Sequence, residues 1–206
     1  TLAASTAFAS LWMLPRLHRF RDELPDIDLR IQTADRDLDI RNESIELGVR
    51  GGRREDWPDY DSALIAHEVI EAVASAAYIE KHGMPESVDH LTQHRLIHLE
   101  EPFRRACDWQ QWFLSAGVNK VPASRGLAIN DYVLVIQAVM EGQGVALSWR
   151  HLTGRLINTG LLCKVTGHRL ETGAAFHVLW PKTRPLTPKT EKVLNWLTKE
   201  GREFSG

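Results

Sequence analysis

Hydrophobic and polar positions follow two different periods along this chain of 206 residues. In the stretch IDLRIQT (27–33) apolar residues occupy every second position, which is typical of a strand. Between residues 7 and 20 apolar side chains recur every three or four positions, which predicts an amphipathic helix that Pro15 kinks or divides. Segments of the two kinds alternate to the end of the chain. This order predicts an α/β protein with mostly parallel strands.

The remaining elements follow from the same periods and from the residues that start and stop helices. Strands are predicted at 1–5, 45–52, 63–75 (one long strand or two), 95–100, 125–130, 144–149 and 174–182. Helices are predicted at 76–83, 87–94, 108–117, 131–141 and 188–204. The segment 53–62 reads as a loop, and 156–165 as a turn followed by a strand.

A Gly-x-Gly sequence at Gly142-Gln143-Gly144 has the composition of a phosphate-binding loop, but the wrong order. A phosphate loop runs from a strand through glycines into a helix, whereas these glycines follow a helix and precede a strand. Gly142 suits the position after a helix end, where the backbone adopts a left-handed conformation. We therefore interpret both glycines as structural.

Small polar residues follow three predicted strands directly and precede helices or turns. These junctions are Ser5-Thr6, Thr33-Ala34-Asp35 and Asn130-Asp131. Free N–H groups at a helix start can receive a ligand, and the carboxyl ends of parallel strands commonly line a cleft. Ordinary helix capping explains the Asn130-Asp131 junction about equally well, and each junction alone is a weak signal. The negative charge of Asp131 would favour an ammonium or hydroxyl group over an anion.

Metal and catalytic signatures are weak. His90, His94 and His98 are spaced by four residues and would share one face of a helix, but RLIHL reads as a strand that takes His98 away. The chain contains no G-x-S-x-G, H-E-x-x-H or P-loop sequence. We therefore predict no metal, no cofactor and no enzymatic activity.

Composition narrows the class of protein further. A net charge of −2 argues against a strongly basic nucleic-acid surface. The chain contains no window of 18 apolar residues, so we expect no membrane span. The two cysteines, Cys107 and Cys163, stand far apart and suit a reducing cytoplasm. The chain starts without methionine in a strand-like run, so we expect a segment of a longer protein.

Three long stretches carry a resemblance to a known family. The sequences ASTAFASLWMLPRLHRFRDELPDIDLRIQT, ESIELGVRGG and NDYVLVIQAVMEGQGVAL resemble the effector-binding domain of LysR-type transcriptional regulators, in the branch of the glycine-cleavage activator. The resemblance implies a periplasmic-binding-protein-like type 2 fold with two Rossmann-like lobes joined by two crossover strands. It places lobe one at 1–67 and 168–206, and lobe two at 68–167.

The resemblance also implies a ligand site in the cleft between the lobes and adds positions to it. The full set of predicted ligand-binding residues is Ser5, Thr6, Thr33, Ala34, Asp35, Arg50, Gly51, Asn130, Asp131, Tyr132 and Trp149. The expected effector is an amino acid, a quaternary amine or a small carboxylate. For a quaternary amine, Asp131, Tyr132 and Trp149 would form the cation site.

The implied protein is a cytoplasmic homodimer or homotetramer that binds promoter DNA through an N-terminal winged helix-turn-helix outside this chain. The helices at 7–20 and 131–141 are the candidate dimer surfaces, although the apolar stripe of each could equally lie in the core. Two alternatives remain open: a periplasmic-type solute-binding protein of the same fold, and a small α/β enzyme.

Overall fold

The computed structural model describes residues 1–34, 40, 44–101, 106–119 and 126–203. The chain forms two compact units: unit 1 comprises Thr1–Glu68 and Gly173–Gly206, and unit 2 comprises Val69–Thr172. Both boundaries fall inside long strands, β4 (Tyr60–Ala74) and β8 (Cys163–Pro181). Each unit combines strands with helices, so the predicted α/β class is confirmed.

Unit 1 is built on the strand order β2-β1-β3-β8. Strand β1 (Leu2–Ala4) lies parallel to β2 (Ile31–Thr33) and to β3 (Leu47–Gly52), and β3 is antiparallel to β8. The buried residues Ala3, Ile45 and Leu179 lie in one core cluster of this unit. Helix α7 (Pro188–Glu203) also belongs to unit 1.

Three helical segments replace the single helix expected at 7–20. A π-helix (Phe8–Met13) is followed by a 3-10 turn (Leu14–Arg16) and by α1 (Leu17–Glu23). Leu14 N–H donates to the carbonyl of Ala9, five residues back, which is the wide turn of a π-helix. The division falls at Pro15, which has no N–H to continue an α-helix and whose ring crowds the preceding turn.

Unit 2 follows the strand order β4-β7-β5-β6. Strand β5 (Leu96–Leu99) is parallel to β6 (Leu127–Ile129) and to β7 (Val145–Trp149), whereas β7 is antiparallel to β4. The helices are α2 (Ala76–His82), α3 (Val88–Leu91), α4 (Trp109–Ser115), α5 (Tyr132–Met140) and α6 (Arg150–Asn158). Fully buried Trp112 donates its indole N–H to the carbonyl of Ile70 at 3.2 Å.

Several predicted boundaries were wrong. Strand β2 begins only at Ile31, β4 already begins at Tyr60, and a 3-10 turn (Arg54–Asp56) occupies part of the expected loop. The helix α6 was missed because Gly154 and the absence of a capping side chain at its start hide it in the sequence. The strands expected after 160 and at 174–182 form one strand, β8.

Candidate functional site

In unit 1, the carboxyl ends of two parallel strands bring Ser5 and Thr33 to one edge of the sheet. Ala4 and Thr33 are register partners, and Ala34 N–H donates to the carbonyl of Ala4 at 3.2 Å. Ser5 Oγ accepts the N–H of Phe8 at 3.1 Å, so Ser5 caps the helical segment while its own O–H remains able to donate. Thr33 is exposed, and Thr6 is half-buried. Asp35 lies outside the described residues.

Arg50 and Gly51 extend beyond the end of β1 on the neighbouring strand β3. Ala3 pairs with Gly48, so these two residues of β3 lie level with the chain that follows Ala4. The guanidinium carbon of Arg50 lies 6.0 Å from the ring centre of Tyr60. A Cβ atom on Gly51 would lie 2.9 Å from the Phe176 ring, so the absent side chain makes room for that ring. Unit 1 thus assembles most of its predicted positions at one edge.

In unit 2, Asn130 and Asp131 follow β6 at the same end where β5 and β7 finish. Asn130 is exposed. Asp131 is the N-cap of α5, and its Oδ1 accepts the N–H of Leu134 at 3.0 Å. The capping interpretation of Asp131 is confirmed, and its second carboxylate oxygen is compatible with a ligand that donates a hydrogen bond.

Tyr132 and Trp149 are packed against each other behind that helix start. Their rings meet edge to face with centres 5.0 Å apart, and Tyr132 Oη accepts the backbone N–H of Trp149 at 3.0 Å. The residues are 4% and 7% exposed, and burial raises the pKa of the Tyr132 hydroxyl. The pair therefore holds the start of α5 against the end of β7.

The glycines of the Gly-x-Gly sequence have the structural roles predicted for them. Gly142 has a φ of +70°, and Gln143 N–H donates to the carbonyl of Ala138, which together end α5 in a Schellman motif. A Cβ atom on Gly144 would lie 2.4 Å from the carbonyl oxygen of Arg95, so this position requires glycine for a close approach of two backbones.

The histidines separate as expected. His98 lies on β5, whereas His90 lies on α3 and His94 follows that helix. The rings of His90 and His94 are 5.5 Å apart, and His90 Nδ1 accepts the N–H of Glu86 at 3.3 Å. That bond places the proton of neutral His90 on Nε2, where a metal would need a lone pair. Among the described residues, no group of three possible ligands could hold a metal ion.

We predict that the domain begins to lose stability as pH falls below about 6.5. This pH is above the range in which most carboxylates titrate. Burial lowers the pKa of His94, His98, His168 and His177 below the usual value of 6.5, and the charges of His90 and His82 lower that of His94 further. The unfolded chain therefore binds protons first, and stability is lost as pH falls from 6.5 through the folded-state pKa values.

Thermal unfolding measured from about pH 8 to about pH 5 tests this, because the melting temperature should be level above pH 7 and fall below about pH 6.5. The variant His94→Gln should show a smaller fall, with His18→Gln, at an exposed histidine of unit 1, as the control. A melting temperature that is constant down to about pH 5 would contradict the prediction.

Two buried charge clusters have no signal in the sequence. Glu71 Oε1 accepts hydrogen bonds from Arg150 at 3.1 Å and from Lys164 at 2.8 Å in unit 2. In unit 1, Glu200 pairs with Arg16 and Arg19. The partners lie far apart in sequence, and no local period marks them.

Comparison with known proteins identifies the class of this fold. A family model described as the LysR substrate binding domain matches residues 1–202. Solved structures of the AmpR effector-binding domain from Citrobacter freundii and of the AmpR effector domain from Pseudomonas aeruginosa match 98% of this chain each. The matched regions cover 97% of the Citrobacter freundii chain and 94% of the Pseudomonas aeruginosa chain. The TM-scores are 0.80 and 0.77, and the sequence identities are 19% and 22%, respectively. These similarities confirm the periplasmic-binding-protein-like type 2 fold.

The chain belongs to the LysR substrate binding domain family. It is 27% identical to the transcriptional activator AmpR of Rhodobacter capsulatus over 98% of its own length and 66% of that protein's length. It is also 27% identical to the glycine cleavage system transcriptional activator of Escherichia coli K12, over 96% of this chain and 63% of that protein. The chain thus spans just under two thirds of these relatives, which are regulators rather than solute-binding proteins or enzymes.

Within the described residues, no helix has the length and apolarity needed to cross a membrane. Cys107 and Cys163 are not joined by a disulfide bond.

Proposed function

We propose that this chain is the effector-sensing and dimerising domain of a cytoplasmic LysR-type regulator. Its activity would be to bind a small polar metabolite and to change the spacing of DNA-binding domains carried elsewhere in the full protein. The family membership supports this proposal most strongly, together with regulators as relatives. Promoter DNA would be contacted only through an N-terminal winged helix-turn-helix outside this chain.

We propose that the effector-binding residues are those at the strand ends of each unit. Unit 1 offers the hydroxyls of Ser5, Thr6 and Thr33 with the backbone of Ala34, and Asp35, Arg50 and Gly51 complete the proposed set there. Unit 2 offers Asn130 and Asp131, positioned by Tyr132 and Trp149. Hydroxyl, amide and guanidinium donors, together with the carboxylates of Asp35 and Asp131, suit an amino acid, a quaternary amine or a small carboxylate.

A ligand screen by thermal shift tests the proposed function. We expect one compound among amino acids, choline, betaine and small carboxylates to stabilise the domain by about 2.7 kcal/mol at about 100 times its Kd. This stabilisation should raise the melting temperature by a few degrees. If no compound shifts it, the proposed effector classes are wrong.

Replacing Thr33 by tryptophan should weaken binding of the effector found in that screen about 100-fold or more, because a large ring would fill the space beside Ser5 and Ala34. Thr33 is exposed, so the free energy of unfolding should change by less than about 0.5 kcal/mol. Isothermal titration and thermal unfolding measure the two quantities. Thr183→Trp, at an exposed turn of the same unit, is the control, and equal affinity in T33W and T183W would remove Thr33 from the site.

We also propose that the domain forms a homodimer through the helical segments that begin after Ser5 and after Asp131, with the tetramer as a further possible assembly. Two leucines support this, since Leu14 and Leu134 are 55% and 51% exposed on these segments. Exposed leucines on two helical surfaces suit an interface between copies of the chain. A monomeric mass in solution at micromolar protein concentration would contradict the dimer.

A further inference from the structure

A pocket lies entirely within unit 2. It is formed by the segment between α2 and α3 on one side and by the first part of β8 on the other, with a volume of about 440 Å³. Its lining residues are Met84, Pro85, Glu86, Ser87, Val88, Lys164, Val165, Thr166 and Gly167. This volume lies within the range of small-molecule sites in proteins.

The pocket is at the opposite end of unit 2 from Asn130 and Asp131. Strand β4 runs antiparallel to β7, so Val73 lies beside Ala146 at the start of β7, and α2 begins immediately after β4. Cys163, the first residue of β8, contacts the carbonyl of Ala74 at that same end. The proposed effector residues follow the carboxyl ends of the parallel strands, so the two locations do not overlap.

The charges beside the pocket favour an anion. Lys164 and Arg150 share one carboxylate oxygen of Glu71, whose side chain is 4% exposed. Arg150 directly follows the carboxyl end of β7, so Lys164 is the cation that lines the pocket, and it keeps further N–H donors on a side chain that is 38% exposed. Glu86 also lines the pocket, but it is exposed, so solvent screens its charge.

Thr166 provides a second observation that points to a ligand. Its hydroxyl oxygen is buried and has no hydrogen-bond partner among the described residues. Lys164 and Thr166 are two positions apart on β8, so their side chains share one face of the strand. A carboxylate could accept from Lys164 and, once the buried Thr166 hydroxyl rotates toward the pocket, from Thr166 as well, while Met84, Pro85 and Val88 would contact an apolar chain.

We propose that this pocket is a second binding site, for a small carboxylate carried on a short aliphatic chain. The carboxylate contacts Lys164 and the Thr166 hydroxyl, and the chain lies along the segment from Met84 to Val88. The site is separate from the proposed effector site and does not depend on it.

Titration of the isotope-labelled domain with hexanoate, followed by amide chemical shifts, tests the proposal. Hexan-1-ol and hexylamine are the matched probes with neutral and positive head groups. We expect saturable shifts at 84–88 and 164–167, with hexanoate binding about tenfold or more tightly than hexan-1-ol because of its charge-assisted hydrogen bonds. Equal binding of all three probes, shifts confined to 130–132, or no saturation up to about 10 mM would overturn it.

Two variants test the assignment of the residues. Gly167→Leu should abolish hexanoate binding by filling the pocket, because a Cβ there meets no atom within 4 Å. Gly154→Leu adds the same side chain at another open position, on α6, and should bind hexanoate normally. Thr166→Val keeps the shape and should weaken hexanoate about fivefold without affecting hexan-1-ol. Unchanged hexanoate affinity in folded G167L or T166V would contradict the site.

Discussion

Replacing Glu200 by alanine should lower the free energy of unfolding by about 3–5 kcal/mol, because it leaves buried positive charge without its partner. The Glu200 side chain is 1% exposed and that of Arg16 is 5% exposed, with Arg16 Nε 3.6 Å from Glu200 Oε2. Arg19 donates to the same carboxylate oxygen. These contacts fasten the segment that follows Ser5 and Thr6 to helix α7, so the loss should also loosen the proposed effector residues of unit 1.

Chemical denaturation of the E200A variant measures this loss. Glu191→Ala is the matched control, because Glu191 lies on the same helix but is exposed, and it should change stability by less than about 0.5 kcal/mol. The conservative variant Glu200→Gln should lie between the two, since it keeps the shape but not the charge. A loss below about 1 kcal/mol in E200A would show that water reaches the ion pair and that Arg16 and Arg19 are not desolvated.

The elements predicted correctly from the sequence are those with local signals. Asp108 accepts the N–H of Gln111 at 2.8 Å, and Ser87 accepts that of His90 at 3.1 Å, as capping residues before apolar helical periods should. Gly83 and Gly142 both have positive φ where helices end. Such helix boundaries depend on residues within one or two turns, so the sequence contains the whole signal.

Strand lengths depended on partners that no local pattern reveals. The alternation at 27–33 extends over seven positions, yet β2 pairs with the three residues of β1 only through Ile31–Thr33. The shorter neighbour limits the ladder, whatever the pattern of the longer segment. The charge clusters around Glu71 and Glu200 were invisible for the same reason, because their members are brought together only by the fold.

At the candidate site, the sequence indicates which residues lie at strand ends but not what each side chain does there. The junctions after β1, β2 and β6 do lie at strand ends in each unit. Asp131 and Ser5, however, each use one side-chain oxygen for capping, and Tyr132 and Trp149 use their rings for packing. Whether a polar residue caps a helix, binds a ligand or does both depends on the space around it, which a linear pattern does not contain.

Replacing Gly144 by valine should lower the free energy of unfolding by about 3 kcal/mol or more. After the loss of Glu200, this is the second large effect on stability that we expect. The Cβ atom would lie 2.4 Å from the carbonyl oxygen of Arg95, and this carbonyl also accepts the N–H of Val145 at 2.8 Å. Neither backbone can withdraw without breaking the pairing of β5 and β7 at its first residues, Leu96 and Val145. Gly142→Ala should lower the free energy of unfolding by only about 1–2 kcal/mol, because the nearest atom to its Cβ would be Ser75 Oγ at 3.8 Å and the cost comes from its positive φ.

Chemical denaturation of both variants, with and without inorganic phosphate, separates the structural role of these glycines from a phosphate-binding role. A structural role predicts the larger loss in G144V and an equal stability of the wild-type domain at low and high phosphate, once ionic strength is matched. A phosphate loop would instead make phosphate stabilise the wild-type domain and neither variant. That outcome would mean that the helix end at Gly142 binds anions despite the carbonyl groups that it presents, and the interpretation of this turn would have to be abandoned.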